Sequence, residues 1–334
     1  MALTSGILWN NPRGVMVCIR LRRRSLPTKR NSKQTTEHTT QKVLKIDSLS
    51  HIYENGQRAL DSINLELAPG MFGLLGPNGA GKSTLMRCLA TLQVPTSGKI
   101  QFGQIDVLKS PEKLREKLGY LPQTFGFYPR MSALEMMNHL AILKGISQSG
   151  ERKAAIEHML NEVNLWKFRK EQLATFSGGM KQRFGIAQAL LGNPSLIIVD
   201  EPTAGLDPAE RRRFLNLLAK ISGEIVVILS THIVEDVAAL CPKITILANG
   251  QIKLLGSPQE LVSSLHNRVW QKLISAPELD AYNLRYNVLT HRFVAGDVII
   301  HILSDSDPND GFQLHTGTLE DVYFLSVNTP GTSS

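Results

Sequence analysis

Gly76-Pro77-Asn78-Gly79-Ala80-Gly81-Lys82-Ser83-Thr84 is the stretch of this 334-residue chain most able to do chemistry. Its spacing, GxxxxGK[ST], is that of a loop built to hold phosphate. The glycines let successive backbone amides turn inward onto phosphate oxygens. A helix starting there adds partial positive charge. Lys82 reaches the β- and γ-phosphates and the Ser83 hydroxyl ligands Mg2+. A second stretch, Leu196-Ile197-Ile198-Val199-Asp200-Glu201, ends an apolar run in two carboxylates. Asp200 is suited to hold Mg2+ through water, and Glu201 to polarise a water towards the γ-phosphate. An Asp-Glu pair after a strand is by itself a solvated strand end. Downstream of a phosphate loop it becomes the second half of a nucleotide site.

These residues need particular elements around them. Met71–Leu75 reads as a short buried strand running into the glycine loop. Leu85, Met86, Leu89 and Leu92 then recur at helical spacing. Val43–Ile46 and Ile63–Leu67 alternate apolar and polar, as half-buried strands do. Residues from about 125 to 175 lack buried-strand runs but carry helical patterns at Ala133–Lys144 and Arg152–Val163, which predicts a helical insertion. Leu196–Val199 and Ile225–Leu229 are continuous apolar runs of the central parallel type. Thr245–Leu247 and Gln251–Leu255 flank the turn Ala248-Asn249-Gly250 as a hairpin would. Beyond about residue 265 the pattern is mixed and less regular.

Composition narrows the class. The chain is 42% hydrophobic and 20% charged, with three isolated cysteines, Cys18, Cys88 and Cys241. That excludes a mostly disordered chain and a disulfide framework, and suits a reducing compartment. No apolar run approaches the ~18–20 residues needed to span a bilayer. Nine of the 37 Lys/Arg fall in residues 1–42 against one of the 29 Asp/Glu, leaving 28 of each in the body. The net +8 therefore belongs to the tail, and the body gives no reason to expect nucleic-acid binding. The tail, with Arg20-Leu21-Arg22-Arg23-Arg24 and Lys29-Arg30, reads as a disordered segment, part of it removed if translation starts at Met16 or later. Anionic lipid contact and nucleic-acid contact are its other readings.

Phe176-Ser177-Gly178-Gly179-Met180-Lys181-Gln182-Arg183 resembles the LSGGQ signature of the ATPase subunits of ATP-binding cassette (ABC) transporters. Phe176 stands for the usual leucine and Met180 for glutamine. Neither supplies phosphate contacts, so adjusted packing is expected. The resemblance covers about residues 43–265. It implies that Ser177, Gly178 and Gly179 cap the ATP of a second subunit, while Gly76–Thr84 bind the chain's own. Gln123 then resembles the Q-loop glutamine that reaches Mg2+ and the attacking water. Asp207, in Ala204-Gly205-Leu206-Asp207, resembles the D-loop, His232 the switch histidine at the γ-phosphate, and Tyr53 the aromatic that stacks on adenine. Thr318–Phe324 and Phe72-Gly73-Leu74-Leu75 resemble segments of drug, antibiotic and polysaccharide exporters.

The resemblance implies an α/β fold: a P-loop NTPase core of ABC type, an antiparallel β subdomain, a helical subdomain near 125–180, and a C-terminal extension at 266–334. It implies an ATPase using ATP and Mg2+, with Glu201, His232 and Gln123 catalytic. It implies a partner permease in the membrane and a second ATP-binding subunit, in a homodimer or similar pair. It places the chain in the cytoplasm, peripheral on the inner face of the cell membrane. The rival reading is a non-transport ABC ATPase acting on ribosome or nucleic acid. A single phosphate loop, and no heptads between Lys82 and Ser177, speak against it.

Overall fold

The structure, a computed structural model, describes residues 42–123, 126–202 and 207–328. The basic tail up to residue 41, Ala204–Leu206 and the last six residues lie outside the described residues. Contacts divide the chain into two compact units. One holds the residues up to Met71 together with Ser83–Ser230, the other Phe72–Lys82 together with the chain from Thr231 onward.

Along the chain run β1 (Leu44–Ile52), β2 (Arg58–Leu67), β3 (Gly70–Leu75), α1 (Lys82–Leu89), β4 (Ser97–Phe102) and β5 (Ile105–Asp106). In the first unit β2-β1-β4-β5 is an antiparallel sheet. The alternation read at Ile63–Leu67 is realised: Ile63, Leu65 and Leu67 are buried while Asn64 and Glu66 face solvent. Helix α1 stops earlier than its apolar spacing predicts. Thr91 takes a left-handed backbone (φ +59°), and the Leu92 amide bonds back to the Arg87 carbonyl at 2.9 Å, the pattern of a helix end. Leu92 thereby leaves the helix and is 36% exposed.

Next come α2 (Pro111–Arg115), β6 (Leu118–Leu121), α3 (Ala133–Leu143), α4 (Ser149–Glu162), α5 (Gly178–Leu190), β7 (Leu196–Asp200), α6 (Pro208–Ile221) and β8 (Val226–Ser230). Helices α3, α4 and α5 pack on one another. A capping box starts α3: Ser132 accepts from the Glu135 amide, and the Glu135 carboxylate accepts from the Ser132 amide. Those hydrogen bonds hold the Glu135 carboxyl below the usual range. Strands β8-β7-β6 are parallel and, in β7 and β8, buried at every position. This is why those runs are continuously apolar rather than alternating.

The second unit holds β3 beside α7 (Val234–Leu240), β9 (Lys243–Ala248), β10 (Gln251–Gly256), α8 (Pro258–Ser263), β11 (Val269–Ser275), α9 (Leu279–Arg285), β12 (Val288–Val294), β13 (Asp297–Leu303), β14 (Gln313–His315) and α10 (Leu319–Asn328). β3 runs parallel to β9, and β9 turns into β10 through Asn249 and Gly250, both at positive φ. That is the backbone a two-residue hairpin turn requires. The region that looked irregular in sequence is an antiparallel sheet, β12-β13-β11-β14, over a core of Ile274, Val298, Ile300, Ile302 and Phe312. Cys88 and Cys241 are buried, and burial pushes both thiols up to about 12, which disfavours the thiolate.

Asp321 fastens α10 to this sheet. Its buried carboxylate accepts from the Thr318 amide and hydroxyl at 2.8 Å, from the Thr290 hydroxyl at 2.9 Å, and meets His301 Nδ1 at 2.9 Å. Burial pushes the carboxyl up, but His301 and Thr318 outweigh it and hold it at about 2. The folded value lies below the unfolded one, so this contribution is present above about pH 4 and is lost as pH falls towards 2. Its size is about 2 kcal/mol. We expect Asp321→Asn to be less stable than wild type by about that amount at pH 7. The gap should narrow as pH falls to 2 when both are followed by urea unfolding through Trp270 fluorescence. A pH-independent gap would refute the assignment.

Candidate active site

The phosphate loop joins the buried strand β3 to helix α1, as its mechanism requires. Gly79 and Gly81 have φ of +81° and +104°, which a side chain would resist. Gly76 is small for a different reason: a Cβ there would lie 2.3 Å from the Leu247 carbonyl oxygen at the end of β9. Asn78 and Gly79 form the exposed tip, between half-buried Pro77 and buried Ala80. Lys82 is buried, and its ammonium donates to the carbonyls of Gly76 at 2.6 Å and Pro77 at 3.0 Å. The loop is thus wound around the cation. Ser83 follows on the first turn of α1, partly exposed, while Thr84 is buried with its hydroxyl 2.9 Å from the Tyr53 hydroxyl. His232 is exposed and comes just after Thr231, whose amide bonds to the Leu74 carbonyl of β3 at 3.3 Å.

The carboxylates sit at the end of β7. Asp200 is buried at the last strand position, and its charge adds to the burial that raises the Tyr120 hydroxyl pKa. Glu201 has φ +46°, a left-handed backbone uncommon for a residue of this size. Its amide bonds to the Ser230 carbonyl at 3.0 Å, and Gln123 Nε2 donates to its Oε2 at 2.7 Å. Strain of this kind persists only where surrounding bonds impose it. Here it turns the Glu201 side chain onto Gln123, two residues past the end of the adjacent strand β6.

Ser177 is the N-cap of α5, its hydroxyl accepting from the Met180 amide at 3.2 Å. Gly178 is exposed and open, with nothing within 4 Å of where a Cβ would be. Gly179 is the opposite case: a Cβ there would lie 1.8 Å from a Glu210 carboxylate oxygen. Glu210 in turn pairs with Arg183 of α5 at 3.4 Å. Phe176 is buried and edge-on to Phe184 at 6.4 Å, so the larger ring is absorbed by aromatic packing. Gln182 Nε2 donates to the Pro202 carbonyl, one residue past Glu201. Asp207 caps α6 by accepting from the Glu210 amide at 2.8 Å.

Residues 60–204 match the family described as ABC transporter. The linearmycin resistance ATP-binding protein LnrL of Bacillus subtilis is 35% identical over 70% of this chain and 74% of its own length. The phosphonates import ATP-binding protein PhnC of Bdellovibrio bacteriovorus is 36% identical over 68% of this chain and 93% of its own. The dimeric ATP-binding cassette MJ0796, solved in a post-hydrolysis state with ADP and Pi, superposes with a TM-score of 0.59 at 28% identity, covering 64% of this chain and 98% of that one. The chain belongs to the ABC transporter ATP-binding family. It is an ATP-binding cassette with the ATPase fold.

Within this ABC chain the structure joins Gln123 to Glu201, Tyr53 to Thr84, and Lys82 to its own loop. Among the described residues of the D-loop segment, Asp207 is held at the start of α6. Sequence reasoning missed Glu210, which supports the signature loop from outside its motif, and gave Gln182 and Arg183, quoted within that motif, no role of their own. Only the spacing of Glu210 three residues after a capping Asp was a signal, and it signals a helix start, not a site. The two signature glycines separate packing from access. We expect Gly179→Ala to displace the Glu210 carboxylate, the movable end of its side chain, and through the loosened Arg183 pair to lower stability by about 1 kcal/mol or less. Gly178→Ala should leave the thermal midpoint unchanged or slightly raised, because alanine favours the helix. Thermal unfolding by circular dichroism compares them, and equal midpoints would remove the Glu210 contact from the account.

Proposed function

We propose that this cassette is the ATP-hydrolysing subunit of a transporter, driving a separate membrane permease, and that the transport is export. The observation that carries the hydrolytic role is the 2.7 Å hydrogen bond from Gln123 to Glu201 at the ends of neighbouring strands β6 and β7. It orients the Glu201 carboxylate as the group that takes a proton from water attacking the γ-phosphate. The amides of Gly76–Thr84 hold the phosphates of ATP, and Lys82 turns its ammonium from the loop carbonyls to the β- and γ-oxygens. Tyr53 stacks on the adenine, and His232 contacts the γ-phosphate.

The Ser83 hydroxyl, the Asp200 carboxylate and the Gln123 amide oxygen are hard oxygen donors of the kind Mg2+ takes, and these residues would hold it. Mg2+ then supplies neutralisation of phosphate charge. Ser177, Gly178 and Gly179, opening the 13-residue helix α5, cap the ATP of a second subunit, and Asp207 lies on the segment that crosses to it. The dimer of the related cassette MJ0796 supports a paired arrangement. Both subunits here can be the same chain, because every motif is intact.

Residues 43–265 are the ATP-binding domain, 266–334 an extension and 1–42 a basic tail. The chain acts in the cytoplasm, peripheral on the inner face of the cell membrane. Among the described residues no helix is long and apolar enough to cross a membrane, so the path for substrate is assigned to a partner. Export is supported by the likeness to the linearmycin resistance protein and by Phe72–Leu75 and Thr318–Phe324. The likeness to the phosphonates importer weighs on the other side.

Glu201→Gln is expected to lower turnover about 100-fold or more while keeping ATP binding, and to accumulate an ATP-dependent dimer in light scattering. Near wild-type turnover would exclude Glu201 as the base. Lys82→Ala should lose nucleotide affinity in a titration, and unchanged affinity would refute the loop assignment. The Glu201→Gln chain, tagged and isolated with ATP from mild-detergent membranes, should bring a polytopic membrane protein in stoichiometric amount. Recovery of ribosomes or DNA instead would overturn the transport reading.

A further inference from the structure

The reading of Tyr53 as an adenine platform leaves open what holds its ring at the right height above the phosphates. Tyr53 follows β1 directly and is half-buried. A lone tyrosine there would keep its side-chain rotation, and stacking a base on it would require that freedom to be lost at binding. The structure shows two ties, at the two ends of the phosphate-binding helix. At the first turn of α1 the Thr84 hydroxyl lies 2.9 Å from the Tyr53 hydroxyl. Beyond the last turn, Gln93 Nε2 lies 2.5 Å from Nε2 of His51, with the amide as donor.

His51 is only 8% exposed. Its ring stands edge-on to that of Tyr53, with centroids 4.8 Å apart and planes at 86°. His51 therefore packs against the Tyr53 ring while Gln93 holds His51 to the segment that leaves α1. The segment is itself fixed to β1, since the Ile52 amide donates to Thr96 Oγ1 at 2.9 Å and the Thr96 amide to the Ser50 carbonyl at 2.9 Å. His51, Tyr53 and Gln93 line one recess of about 590 Å³ together with Ile52, Glu54 and Asn55.

We propose that His51, anchored by Gln93, is a positioning residue that fixes the Tyr53 ring relative to the phosphate-binding helix and so sets how strongly the nucleotide base contributes to binding. The proposal rests on the stacking role of Tyr53, and the two can fail separately. His51 touches no phosphate, so its effect must fall on the base alone.

The test is equilibrium binding of two ligands to the full chain in Mg2+: ATP, and inorganic tripolyphosphate, which has no base. Tyr53→Ala should weaken ATP about 10-fold or more, as loss of a base–aromatic stack does, and weaken it far more than tripolyphosphate. His51→Ala should weaken ATP by about three- to tenfold, without change for tripolyphosphate. His51→Phe and Gln93→Leu keep apolar volume but lose the hydrogen bond, and each should weaken ATP about two- to threefold. In the Tyr53→Ala background, His51→Phe should have no further effect on ATP, because the group it positions is gone.

If Tyr53→Ala lowers ATP affinity selectively while the His51 and Gln93 variants keep the wild-type ratio of the two affinities, the inference is overturned and the stacking role stands. If the His51 variants weaken both ligands equally, His51 is only structural and the inference is again overturned. If Tyr53→Ala leaves the ratio unchanged, the stacking role itself fails and the inference falls with it. Should His51→Ala not fold, the His51→Phe and Gln93→Leu ratios decide.

Discussion

A buried ammonium must be surrounded by oxygens, and the nucleotide-binding end of this chain is arranged to meet that demand. Lys82 is taken out of water at the junction of β3 and α1, and the carbonyls of Gly76 and Pro77 turn inward to hold it. Burying a cation without such partners would cost several kcal/mol. The Pro77 carbonyl also accepts from the Ala80 amide at 3.2 Å, which closes the tip of the loop. The inward turn of the carbonyls requires the positive φ of Gly79 and Gly81 and the close approach of Gly76 to the Leu247 carbonyl. The glycine spacing, the ending of β3 and the start of α1 are thus consequences of one electrostatic constraint.

The second constraint is the turn at Glu201. Asp200 stays at the buried end of the strand, and Glu201 leaves it with a left-handed backbone. Among the described residues, that turn is held by bonds from the Glu201 amide to Ser230, from Gln123 to the carboxylate, and from Gln182 to the Pro202 carbonyl. The last comes from α5, the helix that opens with Ser177. The signature helix is thus hydrogen-bonded to the chain one residue past Glu201. Glu210 adds a related link, bracing Gly179 and Arg183 on α5 while its own helix is capped by Asp207.

Much of the nucleotide end was legible because its chemistry leaves little choice of residue. The strand runs at 71–75, 196–199 and 225–229 and the helices at 133–144 and 152–163 appear within a residue or a few of their expected ends. Their periods are strong and their burial uniform. Leu92 misled because an apolar residue at helical spacing says nothing of whether the backbone has already ended the helix, as Thr91 does here. The C-terminal sheet was illegible for another reason. β12 is mostly exposed and carries His291, Arg292 and Phe293 in succession, with a register shift between Val288 and Thr290. Its polar and apolar residues do not alternate cleanly, and the core it serves is assembled from β11, β13 and Phe312.

The sequence by itself determined the phosphate loop, the paired carboxylates, the order of motifs and the parallel strands that carry them. Each rests on a local property: a glycine's conformational freedom, a period of burial, a carboxylate at a strand end. Only the tertiary structure decided which residues support those motifs. That Glu210 fills the space beside Gly179, that Thr84 serves Tyr53, and that Gln93 reaches His51 across 42 positions are facts of packing. Glutamine, histidine and threonine are common on any surface, and their types acquire a role only when folding sets them a hydrogen bond apart.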